Sequence, residues 1–308
     1  MMNKIVAIQG NNPSKLNPIT DTSVFLANEI QKKNYKIFYY DPKDLSVINS
    51  KVIASGFFIK FNYENKKLFK ILKKQKLELS KCKFILIRQD PPFNLEYISA
   101  TYILDTIKNK VKILNNPTSI RNISEKLYSV KYQKYMPSTI FTQNISEIKK
   151  FFKIHKKVIL KPIHSYGGND IHLLKKFKSK FINQFINKHG HIMCQKFLPK
   201  ISKGDKRVFL INGKVCGAIS RVPKKGSFLS NMSKGAKPFI ISLTVRENNI
   251  SKIIAKDLKK ENIFFAGIDF IDQKLNGDIN ITSPTGLKTL HDLSGINLAK
   301  IFWQELKT

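Results

Sequence analysis

Residues 158–170 read Val158-Ile159-Leu160-Lys161-Pro162-Ile163-His164-Ser165-Tyr166-Gly167-Gly168-Asn169-Asp170, an apolar strand ending in a lysine and then a polar loop with a glycine pair. A lysine at a strand end can set its ammonium on phosphate oxygens, and paired glycines let backbone N–H groups fold over them. A hairpin turn beside one lysine of many is the plainer alternative, and spacing alone does not separate the two. The stretch belongs to the second of two regions that differ in pattern. Up to about residue 120 strands alternate with helices, and beyond Tyr135 hairpin-like runs take over.

In the first region, residues 3–9 and 35–40 read as buried strands, and Asp21-Thr22-Ser23 offers cap chemistry for a helix over 21–33. Residues 84–87 form an apolar run ending at Arg88, residues 95–108 show helical spacing, and 111–114 give a strand before Asn115-Asn116-Pro117. This alternation predicts an open parallel α/β sheet with functional groups at strand carboxyl ends. In the second region, strands over 157–161, 193–197, 208–220 and 264–271, with helices over 146–152 and 251–260, predict an α+β arrangement. No internal repeat has a fixed period.

The chain has 308 residues, 42% of them hydrophobic and 25% charged, too long for one comfortable core and too apolar for disorder. Two or three lobes are expected. Its formal charge of +34 implies attraction to polyanions. Yet 50 of the 55 cations are lysines scattered through every segment, and arginine, the residue suited to bidentate recognition, occurs only at Arg88, Arg121, Arg207, Arg221 and Arg246. With the abundance of Ile, Asn and Lys, this composition fits codon drift in an AT-rich genome, and no specific nucleic-acid partner is expected. Cys82, Cys194 and Cys216 form no CxxC pair, which fits a reduced compartment. The apolar run at 5–8 is too short for a signal-peptide core, and no stretch approaches the ~20 apolar residues of a membrane helix. A cytoplasmic protein without a membrane partner is expected.

Neither G-x-G-x-x-G nor G-x-x-x-x-G-K-[ST] occurs, so a nucleotide site has to be built by other means. Cys194-Gln195-Lys196-Phe197-Leu198-Pro199 could line an adenine slot or be an ordinary buried strand. Asp205 beside Lys206 and Arg207 could be a solvated turn. The Gly-, Ser- and Lys-rich stretch from Arg221 to Lys237 could be a water-excluding lid or a surface loop. Gly267-Ile268-Asp269-Phe270-Ile271 and Gly277-Asp278-Ile279-Asn280-Ile281 alternate apolar and polar residues. On facing strands Asp278 and Asn280 share a face that Asp269 can join, an oxygen set suited to magnesium. Capping or turn acids at a hairpin are the competing account. The six histidines show no zinc spacing.

In order along the chain, Arg88-Gln89-Asp90-Pro91-Pro92-Phe93, Asn115-Asn116-Pro117, Glu125-Lys126-Leu127, Ile159-Leu160-Lys161-Pro162 with Gly167-Gly168, Gly204-Asp205-Lys206-Arg207-Val208, Arg221-Val222-Pro223, Gly267-Ile268-Asp269 and Asn280-Ile281-Thr282-Ser283-Pro284-Thr285 resemble the bacterial glutathione synthetases of the ATP-grasp ligases. The R-x-D-P-P-F and N-x-T-S-P-T segments are the specific ones. The resemblance implies an amino-terminal parallel α/β (pre-ATP-grasp) domain, residues 1–122. It implies an ATP-grasp domain of two α+β lobes enclosing ATP, residues 123–308. It implies ligation of γ-glutamylcysteine to glycine through an acyl phosphate, with ATP, Mg2+ or Mn2+, in a homotetramer.

The same resemblance implies residue roles. Lys126, Lys161, Gly167 and Gly168 would contact the ATP phosphates, Gln195, Lys196, Phe197 and Leu198 the adenine, and Asp205 the ribose side. Arg207 and Arg221 would stabilise phosphate and the tetrahedral intermediate. Asp269, Asp278 and Asn280 would hold metal, and Arg88, Ser283, Thr285 and Gly286 the peptide substrate. Against the family pattern, Asp278 replaces a glutamate, Leu229 replaces an arginine ahead of Ser230-Asn231, and Ala236 replaces a glycine. Lys288-Thr289-Leu290-His291 replaces a glutamate-bearing continuation, and Asn11-Asn12-Pro13 stands where an aspartate is usual. Two other readings stay open: an ATP-grasp ligase adding another amino acid, such as glutamate or D-alanine, and a basic binding protein with a decayed ligase site.

Overall fold

Strands buried on both faces read as unbroken apolar runs, and four such runs build the centre of the first sheet. In the computed structural model, which describes residues 4–17, 20–62 and 68–307, this sheet contains β1 (Ile5–Gln9), β2 (Lys36–Tyr40), β3 (Leu45–Ile48), β4 (Lys51–Phe61), β5 (Phe69–Glu78), β6 (Phe84–Ile87) and β7 (Lys112–Leu114). Residue 3 of the expected first strand lies outside the described residues. Strands β2, β1, β6 and β7 are parallel neighbours, as expected from the alternation with α1 (Thr22–Gln31) and α2 (Leu95–Asp105). Asp21 caps α1 through Val24 N (2.8 Å), and Asn94 caps α2 through Tyr97 N (3.0 Å).

The sheet is mixed rather than wholly parallel, because β4 runs antiparallel to β2, β3 and β5. The reason is connection length. A parallel partner needs a crossover of roughly a dozen residues or more. Asn49 and Ser50, both at positive φ (48° and 60°), leave only a tight hairpin between β3 and β4. A short helix, α3 (Pro117–Asn122), follows β7.

A second sheet has the order β10-β9-β11-β8, made of β8 (Thr139–Thr142), β9 (Val158–Pro162), β10 (His172–Leu174) and β11 (Ile192–Lys196), with α4 (Ile145–His155) and α5 (Ser179–His189) on it. The third sheet contains β12 (Asp205–Ile211), β13 (Lys214–Val222), β14 (Lys237–Ile240), β15 (Phe265–Ile271) and β16 (Lys274–Asn280) in the order β14-β13-β12-β15-β16. Asn212-Gly213, with φ of 49° and 79°, closes the β12–β13 hairpin. Helix α6 (Val245–Lys260) starts six residues earlier than its apolar spacing indicates, because Thr244 and Glu247 form a reciprocal capping box ahead of it.

The last two helices, α7 (Leu287–Ser294) and α8 (Leu298–Glu305), return to the first domain. Leu287, Leu290, Phe302 and Trp303 share one apolar core with Val24, Leu26 and Ile30 of α1 and with Phe209 and Ile219 of the third sheet. Trp303 Nε1 donates to Leu26 O (2.8 Å). This shared core sets the first sheet against the third. Among the described residues no helix is long and apolar enough to cross a membrane.

Candidate active site

Register in the third sheet assembles a buried quartet of charges. On β12, Asp205 and Arg207 are two residues apart and share a face. Asp205 lies opposite Arg221 of β13, and Arg207 opposite Asp269 of β15. Arg207 grips Asp269 with both nitrogens, Nε to Oδ1 at 2.5 Å and Nη2 to Oδ2 at 2.8 Å. Arg221 donates Nε to Asp205 Oδ1 (2.9 Å) and Nη2 to Asp205 Oδ2, and its Nη2 is 3.1 Å from Asp269 Oδ2. Burial alone would raise the Asp269 carboxyl, but the two guanidiniums overcome it and bring it down to about 2. Burial likewise opposes the charge of Arg221, and Asp205 and Asp269 outweigh it.

A second cluster forms where β16 departs from β15. The register shifts between Ile268 and Phe270, and Gly277 takes φ +83° at a point where an added Cβ would sit 2.3 Å from Met193 Cε. The strand thereby turns Asn276 and Asp278 toward β9. Lys161 Nζ donates to Asn276 O (3.0 Å), Asn276 Oδ1 (3.1 Å) and Asp278 Oδ2 (3.1 Å). Lys126 Nζ donates to Ser165 O (2.7 Å) and lies 3.6 Å from Asp278 Oδ1. Burial works against the Asp278 charge, while Lys161 and then Lys126 lower its pKa. Asn280 donates Nδ2 to Gly267 O (3.2 Å), which leaves its amide oxygen as the remaining acceptor.

Both clusters open on one cavity between the second and third sheets. Its far wall is Ile159, Gln195, Lys196, Phe197, Leu198 and Ile201, with Gln195 anchored by Nε2 on Thr139 Oγ1 (3.0 Å). Gly167 and Gly168 line it too, at φ of +63° and +77°. The loop after β13 closes over the top with Phe228, Leu229, Ser230 and Asn231. Ser230 Oγ donates to Asp205 Oδ2 (2.5 Å), and Lys234 Nζ to Asn169 Oδ1 (2.8 Å). The φ of +77° at 168 favours glycine, and a side chain there would meet the Asn231 amide of the loop at 2.4 Å and displace it.

Lys126, Lys161, Gly167, Gly168, Gln195, Lys196, Phe197, Leu198, Asp205, Arg207, Arg221, Asp269, Asp278 and Asn280 therefore meet in one cavity. Both Asp205 oxygens are taken by Arg221 and Ser230, so a ribose hydroxyl has to compete with them. Arg88, Ser283, Thr285 and Gly286 lie outside this lining, at the amino end of α1. Buried Arg88 donates Nε to Ser23 Oγ and Nη2 to Pro284 O (both 3.0 Å), Ser283 Oγ donates to Arg88 O (3.3 Å), and Thr285 is exposed. The Gly286 N–H donates to Thr22 Oγ1 (3.1 Å), a bond that a ligand carboxylate would have to replace. Sequence reasoning assigned nothing to Asn276, to Ser230 or, beyond its place next to Lys126, to Glu125. Only the alternation of Asn276, Asp278 and Asn280 on one strand could have pointed to the first.

Asp269, Asp278 and Asn280 carry two carboxylates and an amide oxygen, hard donors that suit magnesium or a similar divalent cation, which would share the Asp269 oxygens with Arg207 and Arg221 and those of Asp278 with Lys161 and Lys126. Among the described residues no group of three or more His, Cys, Asp and Glu could hold a metal. A magnesium ion held by so few protein donors would take its remaining ligands from phosphate oxygens and water.

D-alanyl-alanine synthetase A from Vibrio cholerae superposes with a TM-score of 0.64 over 100% of this chain and 98% of its own, at 14% identity, a likeness of fold. Two α+β lobes closing on paired lysines, arginines and acids, behind an α/β domain, define an ATP-grasp ligase. The family model for the prokaryotic glutathione synthetase N-terminal domain matches residues 5–121, and that for its ATP-grasp domain matches residues 125–295. The glutathione synthetase of Agrobacterium fabrum is 33% identical over 99% of this chain and 96% of its own length. That of Buchnera aphidicola subsp. Baizongia pistaciae is 35% identical over 96% of this chain and 93% of its own. The chain belongs to the prokaryotic glutathione synthetase family, ATP-dependent and divalent-metal-dependent ligases that form a peptide bond.

Proposed function

We propose that the cavity between the second and third sheets binds Mg–ATP and joins γ-glutamylcysteine to glycine, with the residue roles that follow. The carrying observation is that Lys126, Lys161, Arg207 and Arg221 line the same cavity as Asp269 and Asp278. Gln195 to Leu198 receive the adenine, with apolar side chains on its faces and backbone groups at its edge. Lys126 and Lys161 exchange their present acceptors for phosphate oxygens, covered by Gly167 and Gly168. Asp269, Asp278 and Asn280 hold magnesium, which when bound neutralises charge on the transferring phosphoryl group.

Transfer of the γ-phosphoryl group of ATP to the cysteinyl carboxylate breaks its bond to the β-phosphate, releases ADP and gives an acyl phosphate. The glycine amine attacks its carbonyl carbon, the C–O bond to phosphate breaks, and phosphate leaves. Each step concentrates negative charge where Arg207 and Arg221 are already fixed, so positioning and preorganised electrostatics carry the rate. Arg88, Ser283, Thr285 and Gly286 hold the peptide's carboxylate end, with Gly286 released from Thr22. Water reaching the acyl phosphate would waste ATP, and the loop bearing Ser230 keeps it out.

We extend the reading to a cytoplasmic homotetramer with domains 1–122 and 123–308. The test is ADP release by the purified chain with Mg-ATP and γ-glutamylcysteine, with and without glycine. Glycine-dependent turnover yielding glutathione is expected. Bound ATP with no turnover on glycine, but turnover on another amino acid, would overturn the substrate assignment.

A further inference from the structure

The carboxylates lining the cavity are not equivalent. Asp205 and Asp269 are gripped by arginines, and Asp278 by Lys161 and Lys126. Glu125 lines the same cavity, yet among the described residues it makes no ion pair. It is firmly oriented all the same. Its Oε1 accepts three hydrogen bonds, from Ile281 N (2.8 Å), Thr282 N (3.0 Å) and Thr282 Oγ1 (2.9 Å). One carboxylate oxygen is thus pinned to the end of β16, and no protein cation accompanies the charge.

Glu125 also lies on the boundary of a second, smaller cavity, which it shares with Ser165 and Tyr166 and which Pro91, Phe93 and Ile123 wall on the apolar side. Behind Phe93, whose ring centroid is 5.1 Å from that of Tyr97, the Tyr97 hydroxyl is buried with no hydrogen-bond partner. A carboxylate at a partly apolar wall without a counter-ion is costly unless a cation arrives with the ligand. A cation brought by a substrate would supply the missing partner.

We propose that Glu125 binds the ammonium group of the acceptor amino acid, with the smaller cavity as the acceptor's subsite. The inference rests on the ligase reading above. Two ammonium groups enter this reaction, one on glycine and one on the glutamyl end of the peptide. The acceptor's is favoured because Glu125 adjoins Lys126, whose ammonium is 3.6 Å from Asp278, and the attacking nitrogen has to reach that neighbourhood. The peptide's ammonium is several bonds from its reacting carboxyl group.

Glu125→Gln tests this without disturbing the fold, because the amide keeps an Oε1 acceptor for Ile281 and Thr282 and loses only the charge. Steady-state kinetics should show the KM for glycine rising about ten- to a hundredfold, the loss expected for one charged hydrogen bond. The KM values for ATP and γ-glutamylcysteine should stay within about twofold. Hydroxylamine is the second arm. It is mostly uncharged at neutral pH and traps the acyl phosphate as a hydroxamate without needing a counter-ion, so the variant should form hydroxamate at the wild-type rate. Equal loss of glycine and hydroxylamine reactions would mark Glu125 as structural and overturn the inference. A rise in the KM for γ-glutamylcysteine with that for glycine unchanged would overturn it in favour of the peptide's ammonium. Failure of the wild-type chain itself to form hydroxamate would overturn the ligase reading along with it.

Discussion

The two charged ends of the cavity are built on different principles. At the Asp269 end, guanidiniums face carboxylates across adjacent strands, and planar forks engage both oxygens at once. At the Asp278 end, the Lys161 ammonium divides itself among a backbone carbonyl, an amide oxygen and a carboxylate at 3.0–3.1 Å. Lys126 does the same with Ser165 O and Asp278. The first arrangement is a frame whose geometry the sheet register imposes. The second is a set of point-charge contacts, each of which a phosphate oxygen can replace. In a chain where lysine outnumbers arginine ten to one, two of the five arginines form these forks.

If the arginine end is a frame, breaking it should cost stability as well as activity. Arg221→Ala leaves Asp205 without its bidentate partner and removes one of the three guanidinium contacts to Asp269. We expect a loss of about 3–5 kcal/mol in urea unfolding, together with loss of glutathione formation. An unfolding midpoint unchanged from wild type would refute the frame. At the lysine end the balance should reverse. Lys161→Met is expected to weaken ATP binding about ten- to a hundredfold in calorimetry, while its urea midpoint moves far less than that of Arg221→Ala.

The pH dependence sharpens the same contrast. Asp269 has its folded carboxyl at about 2, below the ordinary 3.8. Its contribution is complete above about pH 4 and is lost as pH falls through about 2, on the order of 2 kcal/mol. Asp269→Asn should flatten the acid limb of the stability curve in that window, and an unchanged slope would place the acid sensitivity elsewhere. The smallest effect is expected at the loop. Ser230→Ala removes one hydrogen bond to Asp205, about 1 kcal/mol. Glycine-independent ATP hydrolysis in the presence of γ-glutamylcysteine should rise several-fold, with the unfolding midpoint nearly unchanged. No rise would show that the Ser230 contact does not hold the loop shut.

The legible parts of the fold were those with strong local period. Phe84–Ile87 and Val158–Pro162 emerge as strands where their apolar runs indicate. The β4–β5 hairpin escaped notice because its exposed lysines, at 70, 73, 74 and 76, blur the alternation that a half-buried strand usually shows. The early start of α6 was hidden in a polar capping box rather than in apolar spacing. In the site, most of the cavity-lining residues were found through motif segments. Ser230, Asn276 and Glu125 carry no motif signal strong enough to assign them a role, since each matters through a contact with a residue distant in the chain.

By itself the sequence determined the division into a βα-alternating half and a hairpin-rich half, the family segments, and the face shared by Asp278 and Asn280. These depend on short-range period and spacing, which a linear chain carries directly. Only the tertiary structure decided which cation answers which acid. The pairings of Asp205 with Arg221 and of Asp269 with Arg207 follow from the register of three antiparallel strands. A slip of one residue would turn every one of those side chains to the opposite face. That register is held by buried apolar neighbours such as Val208, Ile268 and Ile219, so the packing of the core settles where the charges meet.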